Sequence, residues 1–316
     1  MKFVLAPLAG FTDAPFRRLC HEGGAALAYT EMVSAAGLAH GSSPTRHLME
    51  TMPGEGPVAC QLFGSKEDEL AFAAREVTLP RFCELNLNAG CPMTKVTREG
   101  AGAKLIEDPE KVYRLLKAMV ENTTLPVTLK TRIGPHPGCC NILELLDAAE
   151  SAGASGIIVH ARFTSQMHGG MVHLDRLSEV VERAKIPVIG NGSVRDMKSA
   201  AEMAATGVSA IMVGRAALAD PTIFRRLSSS DEVEYDVSPV ETHLKYLLEF
   251  RNQLAEKFPN DHIPSADGFA SVKMHTHLFR YFNGRPGAAA LRARLNSVRT
   301  LSEINAIIGE FLHSHS

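Results

Sequence analysis

The residues best placed for chemistry lie in the run LNLNAGCP at positions 85–92. An apolar, strand-like stretch ends at Asn88, two small residues follow, and Cys91 is then fixed by Pro92. Proline restricts its own φ angle and disfavours helical geometry in the residue before it. We therefore expect the Cys91 thiol on a shaped loop, three residues after a side-chain amide. Proton donation and nucleophilic attack are both open to a thiol in such a place.

Similar polar residues end other apolar runs along the chain. They are Gln61, Lys130, Arg132, His160, Arg162, Asn191 and Arg215. A buried lysine is costly unless it is paired or faces the negative charge of a ligand. Any one of these residues could be a satisfied core or rim group. With the run that ends at Asn88, such residues recur over six runs, and this repetition favours a shared site.

The runs that carry these residues alternate with amphipathic helical patterns. Eight strands are predicted, at 3–6, 26–30, 58–63, 82–88, 127–133, 156–160, 187–191 and 210–214. Alternating strands and helices imply parallel pairing with right-handed crossovers. Eight such units predict an α/β fold of the (β/α)₈ TIM-barrel type, with chemistry at the carboxyl ends of the strands. A doubly wound sheet is the alternative, but PLAG at 7–10 is not the glycine fingerprint that it requires.

The pattern changes at the polar, acidic run SSSDEVE, which begins at position 228. Beyond it the sequence has helical periodicity at about 239–257, 265–282, 286–295 and 300–312. We therefore predict a barrel domain over residues 1–227, a linker over 228–238, and a small all-helical domain over 239–316.

Composition narrows the class of protein. The 316 residues carry a net charge near −2, which excludes a uniformly basic nucleic-acid-coating protein but allows a local basic patch. No stretch resembles a signal peptide or reaches the 18 or so apolar residues of a membrane span. The six cysteines contain no CxxC pair, which favours reduced thiols and argues against a metal site. We expect a cytoplasmic protein, monomeric, without metal or membrane contact.

Two glycine-containing turns are predicted after the seventh and eighth strands. They read IGNGS at 189–193 and VGR at 213–215. Barrels commonly bind phosphate at this place, through backbone N–H groups and a helix N-terminus. Gly192 and Gly214 would allow close approach of an anion, and Arg215 could add a bidentate contact. Two ordinary turns are the alternative, but a phosphorylated cofactor explains the residues better.

At this point the chain resembles a known family, the tRNA-dihydrouridine synthases, which are FMN-dependent barrels with a C-terminal helical tRNA-binding domain. The matching segments read APLAGFTD at 6–13, TEM at 30–32, QLFG at 61–64, NAGCP at 88–92, REGAG at 98–102, KTR at 130–132, HAR at 160–162, NG at 191–192 and GR at 214–215. Their order and spacing match over about residues 3–226. In the tail, KMH at 273–275 and RYFNG at 280–284 resemble the family more loosely. His168 departs from the family pattern, because many members have an aromatic residue near this place.

The resemblance implies a set of FMN contacts. Pro7, Leu8 and Ala9 would supply backbone around the flavin ring, and Gln61 would bond its pyrimidine edge. Lys130 would stabilise the negative charge of reduced flavin, and His160 would pack near the flavin and the substrate base. The phosphate would be held by Asn191, Gly192, Ser193, Gly214 and Arg215.

It also implies the reaction and its partners. Reduced FMN would give a hydride to C6 of uracil, Cys91 would give the proton to C5, and NADPH would reduce the FMN again. Asn88 and Arg132 would orient the uracil, and Lys95 is a further candidate contact with the substrate. The tRNA would dock on the basic run 271–300, which contains no Asp or Glu and includes Lys273, Arg280, Arg285 and Arg292.

Two other functions compete with this interpretation. The chain could be an FMN barrel that acts on a free pyrimidine, as dihydroorotate dehydrogenases do, but such an enzyme needs no basic helical tail. It could also be a tRNA-binding protein with an idle barrel. The set of Cys91, Lys130 and His160 argues against that alternative.

Overall fold

The computed structural model describes residues 1–78, 80–229, 239–283 and 287–313. Within these residues, nine strands pair in parallel. They are β1 (Lys2–Leu5), β2 (Ala28–Tyr29), β3 (Val33–Ser34), β4 (Val58–Phe63), β5 (Glu84–Ala89), β6 (Val127–Arg132), β7 (Gly156–His160), β8 (Val188–Asn191) and β9 (Ala210–Val213).

The sheet closes on itself. β1 pairs with β9 over its whole length, and β2 pairs with both β1 and β4. The result is an eight-stranded parallel barrel. β2 and β3 both pair with β4, one after the other along its length, and together they occupy one strand position of the barrel. The predicted (β/α)₈ barrel is confirmed, and the doubly wound alternative is wrong because a doubly wound sheet stays open.

Helices follow the strands and form the outer layer of the barrel. They are α1 (Ala14–Glu22), α2 (Ala35–Ala39), α3 (Ser43–His47), α4 (Glu67–Glu76), α5 (Thr94–Thr97), α6 (Pro109–Val120), α7 (Ile142–Ala152), α8 (Leu174–Arg183), α9 (Met197–Ala204), α10 (Arg215–Ala219) and α11 (Ile223–Ser228). The segments Gly102–Glu107 and Thr164–Gln166 form 3₁₀ helices.

Local sequence explains where several of these helices begin. The side chains of Asp13, Asp108 and Asp196 accept backbone N–H groups at the starts of α1, α6 and α9. A proline also stands in the first turn of α1 and of α6, where its missing N–H costs nothing.

The core lies between the barrel strands and the inner faces of the helices. In α6, Val112, Leu115, Leu116 and Met119 are fully buried, and their spacing places them on one face of the helix. Full burial of one such side chain is worth about 1.5–3 kcal/mol. This packing fixes the strands and therefore the positions of the residues at their ends.

Within the described residues, four further helices follow the barrel. They are α12 (Pro239–Lys257), α13 (Ala266–Tyr281), α14 (Ala288–Leu295) and α15 (Leu301–His313). They share a second apolar cluster, which also takes in Ala14, Leu19 and Met52 from the barrel part of the chain. The helical tail is therefore packed against α1 and its neighbours. Of the predicted linker, residues 230–238 lie outside the described residues.

Candidate active site

The carboxyl ends of β5 to β8 bring several predicted site residues side by side. In the strand register, Asn88 lies opposite Lys130, Arg132 opposite His160, and His160 opposite Asn191. Functional groups of barrel enzymes collect at this end, because the strand ends converge there.

Cys91 lies on a turn that is held from both sides. The side-chain oxygen of Asn88 accepts the backbone N–H groups of Gly90 at 3.1 Å and Cys91 at 3.0 Å. The carbonyl of Cys91 accepts the N–H of Ala103 at 2.9 Å. Gly102 lies close by with φ 59°, and a Cβ there would come within 2.7 Å of the Cys91 oxygen. The partly buried thiol thus has a fixed position.

The Cys91 thiol is held in its protonated form. Burial raises its pKa from the ordinary value, and this effect outweighs the opposing effects of the Met93 backbone, Arg132 and Lys130. A protonated thiol at neutral pH can give up a proton but is a poor nucleophile.

Three side-chain amides form a network beneath this turn. Gln61 donates to Asn86 at 2.7 Å and accepts from Asn88 at 2.8 Å. Asn86 donates in turn to Thr128 at 2.7 Å. Gln61, Asn86 and Asn88 are all buried. The network fixes which way the Asn88 oxygen points, and that oxygen shapes the Cys91 turn.

The side chain of Lys130 forms a hydrogen bond with that of Asn191. Its ammonium donates to the side-chain oxygen of Asn191 at 3.3 Å, while the amide nitrogen of Asn191 donates to the carbonyl of Met212 at 2.9 Å. Burial, aided by the nearby Arg132 guanidinium, lowers the pKa of Lys130 to about 7. An anion at this place would restore the pKa and stabilise the charged form.

Arg132 joins two loops at the mouth of the barrel. Its Nε donates to the carbonyl of Gly90 at 2.7 Å, and its Nη1 donates to the carbonyls of Phe163 at 3.2 Å and Met167 at 2.7 Å. Burial lowers its pKa to about 10. Arg132 therefore couples the Cys91 turn to the segment that follows β7.

Arg162 has a structural role that the sequence pattern did not indicate. Its guanidinium donates to the carbonyls of Gly169 at 2.8 Å and Gly170 at 2.8 Å, and to the Ser193 hydroxyl at 2.7 Å. The side chain is buried just after β7. From the sequence, Arg162 was only one of several polar residues at the ends of apolar runs, and its partners were not predicted. Both arginines thus hold the segment 163–170 over the barrel mouth.

His160 lies among these cations. Its Nε2 is 3.3 Å from Nη1 of Arg162, and its ring stacks at 6.3 Å from that of His168. Burial and then the charges of Lys130, Arg132 and Arg162 lower the pKa of His160 well below its ordinary value. His160 is therefore neutral at physiological pH.

The loop after β8 lies at the same mouth, and its backbone leaves little space for a side chain at Gly192. Gly192 has φ 140°, and a Cβ there would lie 3.3 Å from Val172 and 3.4 Å from His160. Ser193 has φ 56°, a left-handed conformation that costs about 1 kcal/mol or more in a residue with a side chain. Such strain is often found at ligand sites.

Arg215 begins the short helix α10 and is exposed. It donates to the carbonyl of His168 at 3.1 Å. Gly214 precedes it, and a Cβ there would be 3.6 Å from Ala6 and 3.9 Å from Leu8. The loop with Pro7, Leu8 and Ala9 therefore adjoins the loop after β9.

The mouth of the barrel is strongly electropositive. Four cationic side chains, Lys130, Arg132, Arg162 and Arg215, converge on it, and among the described residues no carboxylate forms an ion pair with any of them. Arg132 and Arg162 are buried, and buried cations without a counter-charge are costly, so this arrangement suits an anionic ligand. A flavin mononucleotide, with its phosphate and a ring that becomes negatively charged on reduction, fits such a place.

The residues predicted to contact tRNA are dispersed. Lys95 is exposed on α5. Arg280 is exposed on α13, with its Cζ 5.6 Å from the Phe11 ring, and Arg292 on α14 donates to Asn283 at 3.3 Å. Lys273 instead pairs with Asp13 at 3.1 Å, and its side chain is only 28% exposed. Arg285 lies outside the described residues.

The fold and the site together define a (β/α)₈-barrel protein with an electropositive mouth and a positioned thiol. A family model described as "Dihydrouridine synthase (Dus)" matches residues 4–314. The chain belongs to the dihydrouridine synthase family, and the resemblance proposed from its motifs is confirmed.

Two curated relatives illustrate the match. A tRNA-dihydrouridine synthase B of Klebsiella pneumoniae is 37% identical over 227 residues, which cover 72% of this chain and 71% of that protein. A probable tRNA-dihydrouridine synthase 1 of Synechocystis sp. is 30% identical over 313 residues, which cover 96% and 84% of the two chains. The second match extends through the helical tail.

No helix among the described residues has the length and the apolar character needed to cross a membrane.

Proposed function

We propose that this protein reduces uridines of tRNA to dihydrouridine, with FMN as the bound cofactor and NADPH as the reductant. One observation carries the proposal within this family. The protonated Cys91 thiol and the partly buried Lys130 ammonium lie at the same barrel mouth, where cations converge without a carboxylate partner among the described residues. This is the set of groups that proton transfer beside an anionic cofactor requires.

The residues at the mouth fit the parts of FMN. The backbone around Gly192, Ser193 and Gly214, together with Arg215, would hold the phosphate, with Arg162 close by through its bond to Ser193. Lys130, oriented by Asn191, would face the pyrimidine edge of the flavin ring. Pro7, Leu8 and Ala9 would border the ring, and Gln61 would approach it from β4. When bound and reduced, the flavin supplies the hydride for C6 of uracil.

Cys91 would supply the proton for C5. Its turn is fixed by Asn88, its pKa is raised by burial, and it therefore carries a proton at neutral pH. His160 is neutral and can pack against the base without adding charge. The hydrogen bonds of Arg132 to Gly90, Phe163 and Met167 use its Nε and Nη1 atoms. Its third guanidinium nitrogen, Nη2, would donate to a uracil carbonyl.

The target uridine is part of a folded RNA and would have to leave its stack to reach the barrel mouth. We propose that residues 239–316 form the domain that grips the RNA backbone. Arg280 is exposed, and Arg292 is partly exposed. Arginines of this kind form salt-dependent contacts with phosphates. A free-pyrimidine reductase would not need them.

An anaerobic reoxidation experiment tests this function. The protein, purified with its flavin and reduced with NADPH, is mixed with tRNA transcribed in vitro, with free uracil, or with orotate. The flavin absorbance should return only with tRNA. Reoxidation by uracil or orotate, with tRNA inert, would instead favour the free-pyrimidine alternative.

A further inference from the structure

One face of the tail helix α13 lies on the loop that follows β1. Lys273, His277 and Arg280 are spaced four and three residues apart, and this spacing places them on the same side of the helix. The Lys273 ammonium is 3.1 Å from Asp13. The His277 ring is 5.3 Å from the Phe11 ring, and Cζ of Arg280 is 5.6 Å from it. This face therefore contacts Phe11 and Asp13, which belong to residues 7–13, called loop 7–13 below.

Loop 7–13 is compact and depends on two carboxylates for its shape. The backbone N–H groups of Phe11 and Thr12 donate to the carbonyl of Leu8, both at 3.0 Å. The N–H of Gly10, a residue with φ 81°, donates to a carboxylate oxygen of Glu31. Asp13 ends the loop and caps α1 by accepting the N–H of Phe16 at 3.2 Å.

Lys273 is the cation that faces both carboxylates. Besides its 3.1 Å contact with Asp13, its ammonium is 4.0 Å from the second oxygen of Glu31. Asp13 and Glu31 are both more than nine-tenths buried, and two such carboxylates repel each other in a medium of low dielectric constant. Burial and Asp13 raise the pKa of Glu31, and Lys273 opposes that rise. Without the ammonium, one of the two would leave its place or take up a proton.

The same helix contacts the other side of the barrel mouth. α13 packs against α10, which begins at Arg215. The base of loop 7–13 is also joined to that side, since the N–H of Ala6 donates to the carbonyl of Val213 at 2.8 Å. α13 therefore contacts loop 7–13 and also the helix that begins at Arg215, and the proposed function assigns flavin contacts to both of these places.

We propose that Lys273 is a positioning residue for the flavin site, which holds loop 7–13 in its binding conformation through Asp13 and Glu31. The role of the loop rests on the proposed function. Under this proposal the helical tail completes the active site as well as docking RNA. Lys273 is largely withdrawn from solvent, unlike the exposed Arg280, and this burial favours the positioning role over a phosphate contact.

The experiment compares Lys273→Met with Lys273→Arg in the full-length protein. Hydrogen exchange of the flavin-free protein is followed in peptides covering residues 7–13, and FMN affinity is measured by quenching of flavin fluorescence. Lys273→Met should accelerate hydrogen exchange in this loop and weaken FMN binding by about tenfold. Lys273→Arg, which keeps the positive charge, should have the exchange rate and the FMN affinity of the parent. A peptide from β7 should exchange at the parent rate in both variants.

Two further variants make the result specific. Lys245→Met removes an exposed lysine of α12 that is 4.0 Å from Glu249, and should change neither readout. Asp13→Asn keeps the helix cap, because Asn caps as well as Asp, but removes the charge that Lys273 faces. The effect of Lys273→Met should be smaller in this background. If Lys273→Met does not fold, Asp13→Asn alone should still accelerate exchange in loop 7–13.

Parent-like exchange and FMN affinity in Lys273→Met would overturn the proposal, and a selective loss of tRNA affinity would instead make Lys273 a docking contact. Failure of the proposed function would give a different result. In that case the parent protein itself, with Lys273 in place, would bind no FMN or would leave tRNA uridines unreduced.

Discussion

Asn88 and Cys91 are joined by a single hydrogen bond, from the Cys91 N–H to the Asn88 side-chain oxygen at 3.0 Å. The same oxygen accepts the N–H of Gly90, and the Asn88 amide donates to Gln61. Asn88 therefore uses its side chain to shape the turn that presents the thiol. A residue expected to touch the substrate is found to position the proposed proton donor.

Asn88→Ala should slow uridine reduction without loss of the flavin. The substitution leaves two turn N–H groups and the Gln61 oxygen without their partner, and each unsatisfied buried group costs about 1–3 kcal/mol. The thiol would then lose its fixed position. We expect the single-turnover rate with tRNA to fall at least about tenfold, measured by stopped-flow absorbance. Asn296→Ala, at an exposed site, serves as the control. An unchanged rate would mean that the turn keeps its shape without Asn88.

Cys91→Ala should separate the two halves of the reaction. Flavin content and reduction by NADPH should remain as in the parent, because the thiol takes no part in either. Uridine reduction should fall by about 10²- to 10⁴-fold, the usual contribution of a general acid. Cys83→Ala removes an exposed thiol as the matched control. Dihydrouridine formation at the parent rate by Cys91→Ala would show that another group gives the proton.

Lys130→Met should stabilise the flavin-free protein while weakening flavin binding. The pKa of Lys130 is lowered to about 7 in the folded chain, against about 10.4 when unfolded. The unfolded chain therefore binds the proton more readily, and stability is lost as the pH falls through that window. At pH 7 the methionine variant should gain roughly 1–4 kcal/mol in free energy of unfolding, measured with urea. The exposed Lys185→Met should gain nothing. A destabilised Lys130→Met protein would contradict this account of the cation.

Two buried histidines should make the junction between barrel and tail sensitive to acid. His243 and His277 are fully buried with their rings 4.3 Å apart, and neither nitrogen of His277 has a hydrogen-bond partner in the part of the chain that the structure describes. Burial lowers the pKa of His243 to about 4 and that of His277 well below its ordinary value, with Lys273 contributing to both shifts. Because the unfolded chain takes up protons first, stability should fall as the pH drops from about 6.5 towards 4.

His277→Phe tests this dependence directly. Phe11 and Phe16 already surround the ring, so an aromatic replacement should fit. The fall in melting temperature between pH 7 and pH 5 should be smaller than in the parent. The exposed His262→Gln should retain the full fall. If His277→Phe has the parent's pH profile, the acid sensitivity arises elsewhere.

Local pattern was sufficient for most of the fold. The alternation of apolar strands and helices specified the barrel, and Pro239–Lys257 was predicted at its observed bounds. The predicted strand 26–30 is shorter in the structure, where β2 covers only Ala28–Tyr29, and the short strand β3 at Val33–Ser34 was not predicted. The chain bends at Glu31 between the two, next to Thr30, whose hydroxyl accepts the Gln61 N–H at 3.0 Å. Such a break depends on a neighbouring strand, so no local pattern reveals it.

The site was predictable in its residue types but not in its partners. Lys130 and Cys91 were recognised as candidates because each is a reactive or charged side chain within or just after an apolar strand. The contacts of Arg132 and Arg162 with the carbonyls of segment 163–170 could not be predicted, because every residue type carries a backbone carbonyl and the sequence does not show which one is used. Lys273 was expected on the RNA surface because it lies in a basic run. Its partner Asp13 comes from the opposite end of the chain.

The most direct test of the central claim is the product itself. The protein is incubated with FMN, NADPH and tRNA transcribed without modifications, and the digested nucleosides are analysed by mass spectrometry. The account predicts dihydrouridine in the parent and in Cys83→Ala, and a nearly complete loss in Cys91→Ala. Absence of dihydrouridine from the parent reaction, with flavin bound and reduced, would contradict it.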